Sequence, residues 1–339
     1  MYVPVVSMWE AELDKIAAQT HFSGVVRVDC DDTIQLVRAF GLAHRGYDMA
    51  NTVDTQFGIA SGGKAFTALA VVSLIEDGVL SMSTTARSVL GDDLPLIGPE
   101  VTVEHLLTHR SGIGDYFDED AGGDTNDYVL TSPVHELAHT EAFLRELDGF
   151  PPKFVPDERF SYYNSGYVVL ALIAERGSCV PYHQLVRQRV CDPGGLQDTG
   201  FLRSDEFGGR VARGYLTVDG PRTNIFHLPV LGNGDGGIYS TAADIHSLWA
   251  ALIGGRIVPP HWVTEMVRPR SDVPEESARY GIGFWLDETG PAVMLVGGDA
   301  GGSFRSVHDP VARYTHTVLS NTSDGAWPIT RRLDELLTA

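Results

Sequence analysis

The most uniform apolar run in the chain extends from Ala65 to Ile75, where every position is apolar or small. A segment that is apolar all the way round is typical of a helix buried on every side. The Asp77-Gly78 pair predicts where this helix ends, because glycine accepts the left-handed conformation found just past a helix. We therefore expect a central buried helix.

Strand-like segments occur near both ends of the chain. Two segments joined by Cys30-Asp31-Asp32 predict an antiparallel hairpin, and four more near the C-terminus predict meandering strands. An amphipathic helix is expected at Ser7–Ala18, and a C-terminal helix that packs on the strands at Ile329–Leu337. The six predicted strands are 24–29, 33–40, 281–286, 292–296, 303–307 and 314–320. The two ends should thus build one antiparallel sheet flanked by helices, an α/β (α+β) fold.

The middle of the chain has a helical pattern. The predicted helices are 102–109, 132–147, 167–175 and 182–190, followed by one at 240–253. Residues 118–127 are acidic and glycine-containing, too polar for a core, and predict a mobile lid or rim. We expect a sheet subdomain (1–79 and 236–339), a mostly helical inserted subdomain (80–235), and an active site in the groove between them.

Ser61 and Lys64 are the polar exceptions at the start of the buried helix. Three residues apart, they share one face of its first turn. A serine hydroxyl needs a base beside it to act as a nucleophile, and burial can keep a lysine amine neutral enough for that role. The alternative is a helix cap at Ser61 and a solvated lysine, but a lysine on an apolar helix needs a partner or a function.

Composition and charge exclude several classes of protein. The 339 residues carry a net charge of −20 with a pI near 4.8, which argues against nucleic acid or an anionic membrane as a partner. Residues 1–16 lack a signal-peptide pattern and no apolar stretch could span a membrane. Three cysteines without metal-ligand spacing indicate reduced thiols in a cytoplasmic protein, with a Cys179–Cys191 bridge left open. The oligomeric state is not indicated.

Three motifs occur in order: Ser61-Gly-Gly-Lys64, Tyr162-Tyr-Asn164 and Gly297-Gly-Asp-Ala-Gly-Gly302. Together they resemble the serine β-lactamase and penicillin-binding protein superfamily, in particular its class C-like esterases, D-aminopeptidases and DD-peptidases. The resemblance implies that Ser61 is the acylated nucleophile and Lys64 its proton partner. It implies that Tyr162 is a general base that also protonates the leaving group, and that Asn164 orients the lysine or the substrate. A phenol near an ammonium group should also ionise more readily.

The third motif departs from the family pattern of Lys-Thr-Gly or His-x-Gly. The best register gives Gly298-Asp299-Ala300, which has no cation, and Gly301 would then donate the second oxyanion N–H beside that of Ser61. Without the cation, a substrate carboxylate is disfavoured. We expect a serine hydrolase acting on small esters first, D-amino-acid amides or peptides second, and β-lactams slowly; no metal or organic cofactor is implied.

Other interpretations remain. The altered third motif is compatible with a weak or inactive homologue that acts as a ligand-binding module. His135-Glu136-x-x-His139 matches a zinc-protease pattern on a predicted helix. Gly232-x-Gly-x-x-Gly237 fits the dinucleotide fingerprint formally, but a tight turn is favoured because no βαβ unit surrounds it. His105 and His109 are expected to be loop and packing residues.

Overall fold

A computed structural model describes residues 3–31, 33–119 and 122–337. Its helices are α1 (Val3–Thr20), α2 (Gly63–Glu76), α3 (Ala86–Leu90), α4 (Val103–Leu107), α5 (Leu144–Leu147), α6 (Ser165–Ser178), α7 (Tyr182–Val186), α8 (Asp192–Gly194), α9 (Ala242–Ile253), α10 (Pro260–Met266) and α11 (Ala326–Leu337). Its strands are β1 (Gly24–Cys30), β2 (Thr33–Phe40), β3 (Leu42–His44), β4 (Met49–Ala50), β5 (Phe57–Gly58), β6 (Gly200–Phe201), β7 (Ile238–Ser240), β8 (Ser271–Val273), β9 (Ala278–Tyr280), β10 (Trp285–Asp287), β11 (Val293–Asp299), β12 (Gly302–Asp309) and β13 (Tyr314–Ser320).

Eight of these strands form one antiparallel sheet in the order β2-β1-β13-β12-β11-β10-β9-β8. The N-terminal hairpin joins the C-terminal strands through β1 and β13, where Val26 lies opposite Val318. The prediction of a single sheet built from both ends of the chain is therefore confirmed. The boundaries expected for the two subdomains remain a prediction.

Alternation along β1 separates two cores. Val25 belongs to the large core that contains α2, whereas Val26 belongs to a smaller core beneath α1 and α11. Successive residues of a strand point to opposite faces of the sheet, so one apolar strand contributes side chains to both cores. Burying apolar side chains on both faces stabilises the sheet by about 25 cal/mol for each Å² removed from water.

Helix α2 crosses the large core and contacts α6. All residues from Gly63 to Leu74 are buried, as the all-round apolar sequence predicts. The positive φ of Gly78, 72°, lies just past the helix end. A rigid helix thus carries the Ser61–Lys64 turn at its N-terminus.

The helix predicted over residues 132–147 is wrong. The chain forms short 3-10 turns at Val134–Glu136 and Thr140–Phe143 before α5. The carbonyls of Val134 and Leu137 accept hydrogen bonds from the N–H groups of Val230 and Leu231, at 3.0 and 3.4 Å. A distant segment thereby takes acceptors that a helix would have used.

The strand predicted over residues 281–286 is also shorter than expected. Gly283 has a φ of 78° within a turn in which Gly281 N–H donates to Phe284 O, so extended structure begins only at Trp285. Strands β8 and β9, which the sequence pattern did not indicate, complete that edge of the sheet. Among the described helices, none is long and apolar enough to cross a membrane.

Candidate active site

Ser61 lies in a 3-10 turn, Ala60–Gly62, that leads directly into α2. Ala60 has a φ of 45°, a left-handed conformation that non-glycine residues adopt at a cost of about 1–2 kcal/mol. Such strain often accompanies functional positions. The turn presents the Ser61 hydroxyl and N–H at the positive end of the helix dipole, where negative charge is stabilised.

The Lys64 amine lies beside the Ser61 hydroxyl and is only 2% exposed. Its Nζ is 2.8 Å from Ser61 Oγ, 2.7 Å from Asn164 Oδ1 and 2.9 Å from the backbone oxygen of Asp235. The amide and backbone oxygens can only accept hydrogen bonds. When Lys64 is neutral its two N–H groups satisfy these two oxygens, so the lone pair faces Ser61.

The orientation of the Asn164 amide follows from its other contacts. Asn164 Nδ2 donates to Phe117 O and to Glu119 Oε1, both at 3.0 Å. Because these partners are acceptors, the nitrogen must face them and the oxygen must face Lys64. The Asp115 carboxylate accepts from the N–H groups of Asn164 and Ser165, at 2.9 and 2.8 Å, and so holds the start of α6.

Burial lowers the pKa of Lys64, although the carboxyls of Asp235, Glu119, Asp115 and Asp299 oppose the shift. Removing the ammonium from water disfavours its charged form, whereas nearby negative charge favours it. The net direction moves Lys64 towards the neutral amine that a base requires.

Tyr162 completes the cluster around the serine. It lines the same small cavity as Ser61 and Lys64, and Lys64 Nζ lies 4.8 Å from the centre of its ring. The ring stacks on Trp285, with the ring centres 5.6 Å apart. Burial, followed by the charge of Glu119, raises the pKa of Tyr162 well above its usual value. The expected easier ionisation is not found, so the resting side chain is a neutral phenol that can relay a proton.

The third motif lies in a different register from the one expected. A side chain on Gly297 would come within 2.9 Å of Ser61 N and 2.2 Å of Ile59 O, so β11 approaches the serine at Gly297. The tripeptide beside Ser61 is therefore Leu295-Val296-Gly297, which also lacks a cation. Its glycine is required by the close approach of two backbones.

Gly298 and Asp299 line the groove together with Ser61, but Ala300 and Gly301 form the turn between β11 and β12. Gly301, with a φ of 72°, donates its N–H to Ser323 Oγ at 2.9 Å. That donor is already engaged, which contradicts its predicted role as the second oxyanion donor.

The direction of the Gly298 N–H follows from the ladder between β10 and β11. Asp287 N–H donates to Ala292 O at 2.9 Å, and bonded and non-bonded pairs alternate along an antiparallel ladder. Trp285 and Met294 are therefore also a hydrogen-bonded pair, so the Met294 N–H points towards β10. The N–H groups of every second residue after Met294 point the same way, so that of Gly298 points away from β12. Since β10 begins at Trp285, it does not cover Gly298.

Several groups that the sequence singled out lie apart from the serine cluster or only support it. His135 lies in a 3-10 turn and His139 has an extended backbone, so the two side chains do not share a helix face. His109 is buried among aromatic rings, including Tyr162 at 4.5 Å, as a packing residue. The glycine cluster forms a tight turn, in which Asn233 pairs with Gly236. The three cysteines are free.

Within the described parts of the chain, no group of three or more histidine, cysteine, aspartate or glutamate side chains could hold a metal ion.

The site residues that the sequence did not single out are Asp115, Glu119, Asp235 and Trp285. Asp235 binds Lys64 through its backbone, and its carboxylate accepts a hydrogen bond from the Tyr116 hydroxyl. Such a role leaves no side-chain signature in a sequence.

The sequence profile of the Beta-lactamase family matches residues 9–338, and the chain belongs to that family. A penicillin-binding protein of Bacillus halodurans, known from its crystal structure, is 33% identical with a TM-score of 0.89, over 96% of this chain and 99% of that one. Putative penicillin-binding protein PbpX of Bacillus subtilis (strain 168) is 31% identical over 267 residues, 78% of this chain and 62% of PbpX.

Esterase EstB of Burkholderia gladioli is 33% identical over 174 residues, 50% of this chain and 44% of EstB. The chain thus spans less than two thirds of the length of either curated relative. The family is one of serine hydrolases, and an esterase is among these relatives.

Proposed function

We propose that this protein is a serine hydrolase that cleaves small esters or amides through an acyl-enzyme formed on Ser61. The observation that carries the proposal is the set of contacts around Lys64 Nζ. Two obligate acceptors, Asn164 Oδ1 and Asp235 O, leave the amine lone pair for the Ser61 hydroxyl 2.8 Å away. A buried amine whose lone pair faces a hydroxyl can act as the base that activates this hydroxyl as a nucleophile.

In the acylation step, Ser61 Oγ attacks the substrate carbonyl carbon while its proton passes to Lys64. The carbonyl oxygen becomes an oxyanion, held by the N–H groups of Ser61 and, in place of Gly301, Gly298. Tyr162, which lines the same cavity as Ser61, relays the proton from Lys64 to the leaving alcohol or amine, and the acyl-enzyme forms. A water molecule then attacks the acyl carbon, its proton passes through the same groups to Ser61 Oγ, the bond between Oγ and the acyl carbon breaks, and the acid leaves.

Esters are the first choice of substrate, with amides second. The groove-lining residues that the structure describes include no arginine and no lysine, and the tripeptide beside the serine, Leu295-Val296-Gly297, supplies none. A substrate carboxylate would find no arginine or lysine among these lining residues to pair with, which disfavours β-lactams. The similarity to an esterase supports the same choice.

The test is covalent labelling with a fluorophosphonate, followed by intact mass and peptide mapping, together with hydrolysis of p-nitrophenyl acetate and butyrate. We expect one adduct, on Ser61, that is absent in Ser61→Ala. Ser73→Ala is the matched control, because Ser73 lies on the same helix, is buried and bonds only locally to Ala70 O at 2.7 Å. Lack of labelling in the folded wild type would favour the ligand-binding module instead.

A further inference from the structure

Two carboxyl groups, those of Asp235 and Asp299, line the groove beside Ser61. Together with those of Glu119 and Asp115 they act on the charge of Lys64. Lys64 is a cationic side chain on which all four carboxyls act. A cationic group on a bound molecule would therefore be favoured electrostatically, and an anionic one opposed.

Three of the four carboxyl groups are engaged by the protein itself. Asp115 accepts two backbone N–H groups, Asp235 accepts the Tyr116 hydroxyl, and Glu119 accepts the Asn164 amide. These contacts hold Lys64 and the residues around it in place. The carboxylates of Asp115, Asp235 and Glu119 therefore have a structural role before any substrate binds.

Asp299 differs from the other three. Its Oδ1 accepts the N–H of the adjacent Ala300 at 2.9 Å, and its Oδ2 makes no hydrogen bond to any described residue. Asp299 lines both the groove that contains Ser61 and a second cavity, and Tyr239 also lines both. A half-engaged carboxylate facing a cavity retains an acceptor for a ligand.

The strand geometry sets the reach of Asp299. Residues two apart on a strand point to the same face, about 7 Å apart, and Gly297 is the position that faces Ser61 N. The Asp299 carboxylate consequently lies about one strand repeat from the serine. An amine on the carbon next to a scissile carbonyl, or one carbon further, would reach it.

We propose that Asp299 selects substrates that carry a cationic amine close to the scissile carbonyl, so that the enzyme acts on aminoacyl esters or amides. This inference rests on the proposed function, since it names the substrate class of the same site. The groove is also lined by apolar side chains, which fit an uncharged substituent; they include Phe117, Leu130, Leu202, Ile225, Leu228 and Val230. An amine at Asp299 and an apolar substituent against these side chains would orient the carbonyl towards Ser61.

Burial raises the pKa of Asp299 to about 7, with Asp235 and Glu119 adding to the shift and Lys64 opposing it. A bound ammonium would stabilise the carboxylate and lower this pKa. The preference for a cationic amine should accordingly be strongest at about pH 7.5. It should weaken at lower pH as Asp299 is protonated, and at higher pH as the α-amine, whose pKa is about 7.7–8.0, loses its charge.

The test measures competition against fluorophosphonate labelling of Ser61 by two matched amides. Phenylalanine amide, as separate D and L enantiomers, is compared with 3-phenylpropionamide, which has the same skeleton without the amine. At about pH 7.5, where much of the amine is still protonated, we expect at least one enantiomer of the amine to compete about tenfold better, the equivalent of about 1.4 kcal/mol. Asp299→Asn should bring the ratio close to one. Asp272→Asn, which alters an exposed aspartate on β8, should keep the wild-type ratio.

The ratio cancels any general loss of reactivity in the variant. Equal competition by the two amides in the wild type, or a ratio that survives Asp299→Asn, would overturn the inference while Ser61 is still labelled. Absence of labelling would instead overturn the proposed function. Should Asp299→Asn fail to fold, the wild-type ratio at about pH 5.5 and about pH 7.5 decides, because loss of the Asp299 charge must reduce it at the lower pH while the amine stays protonated.

Discussion

Replacing Gly297 by alanine perturbs the closest approach between β11 and the Ser61 turn. The added methyl group would lie 2.2 Å from Ile59 O, 2.8 Å from Gly62 N and 2.9 Å from Ser61 N. All three atoms belong to backbone and cannot rotate away. An ordinary contact is at least 3.4 Å, so either β11 or the turn must move by about 1.2 Å.

That displacement has two expected consequences. Inserting a methyl group into a closely packed region costs about 1–3 kcal/mol of folding free energy. A shift of about 1 Å in catalytic groups reduces the rate roughly 100-fold, equivalent to about 2.7 kcal/mol in the activation barrier. The rate loss should appear in kcat, because the groups that misalign are those that contact the transition state.

The assay is steady-state hydrolysis of p-nitrophenyl butyrate, with thermal unfolding followed by circular dichroism. Gly58→Ala is the matched control: the new methyl group would lie 3.5 Å from the Tyr239 ring, an ordinary contact, and we expect kcat within about twofold of wild type. A Gly297→Ala protein with the melting temperature and kcat of the wild type would refute the close approach and, with it, the register that directs Gly298 N–H into the groove.

Four further outcomes are expected. Lys64→Met should lower kcat/KM by about 10³-fold or more without preventing folding, and added ethylamine should restore part of the activity; full activity in Lys64→Met would exclude it as the base. Tyr162→Phe should lower kcat by about 10²-fold with little change in KM, as measured on an ester, because only proton relay is lost. The folded-state pKa of Asp299, about 7 against 3.8 for a free side chain, means that its contribution to stability falls as pH rises between these values. The melting temperature of Asp299→Asn should therefore rise relative to that of the wild type between pH 5 and pH 8. A difference in melting temperature that does not change with pH would contradict the raised pKa of Asp299. Chelation with EDTA and the His135→Ala and His139→Ala substitutions should leave ester hydrolysis unchanged, whereas a zinc peptidase would lose its activity.

The elements that could be predicted from sequence are those whose causes are local. Helix α2 is apolar on all sides, and its Ser61–Lys64 spacing lies within one turn, so the nucleophile and its base follow from neighbouring residues. Tyr162 and Asn164 required the resemblance to a family, because about a hundred residues separate them from Lys64. The structure brings all four together.

The errors have causes that lie elsewhere in the chain. Residues 132–147 have a helical composition, but their carbonyls are taken by Val230 and Leu231. The run Gly297-Gly-Asp-Ala-Gly-Gly302 has similar composition in several registers, and only the proximity of Ile59 and Ser61 identifies Gly297 as the residue that must lack a side chain. Neither constraint is visible in a local window of sequence.

The third motif shows how reaction and selectivity can be separated in this site. The groups proposed to hold the oxyanion are backbone N–H groups, and one of the two acceptors that orient Lys64 is the backbone oxygen of Asp235. Side-chain changes in the motif can therefore leave the chemistry intact, provided that Gly297 still permits the close approach. Asp299 lies on the same face of β11, one strand repeat further on, where a side chain contributes to the groove without contacting the reacting atoms. A change of charge at that position would alter which substrates bind, and it would do so without rebuilding the nucleophile.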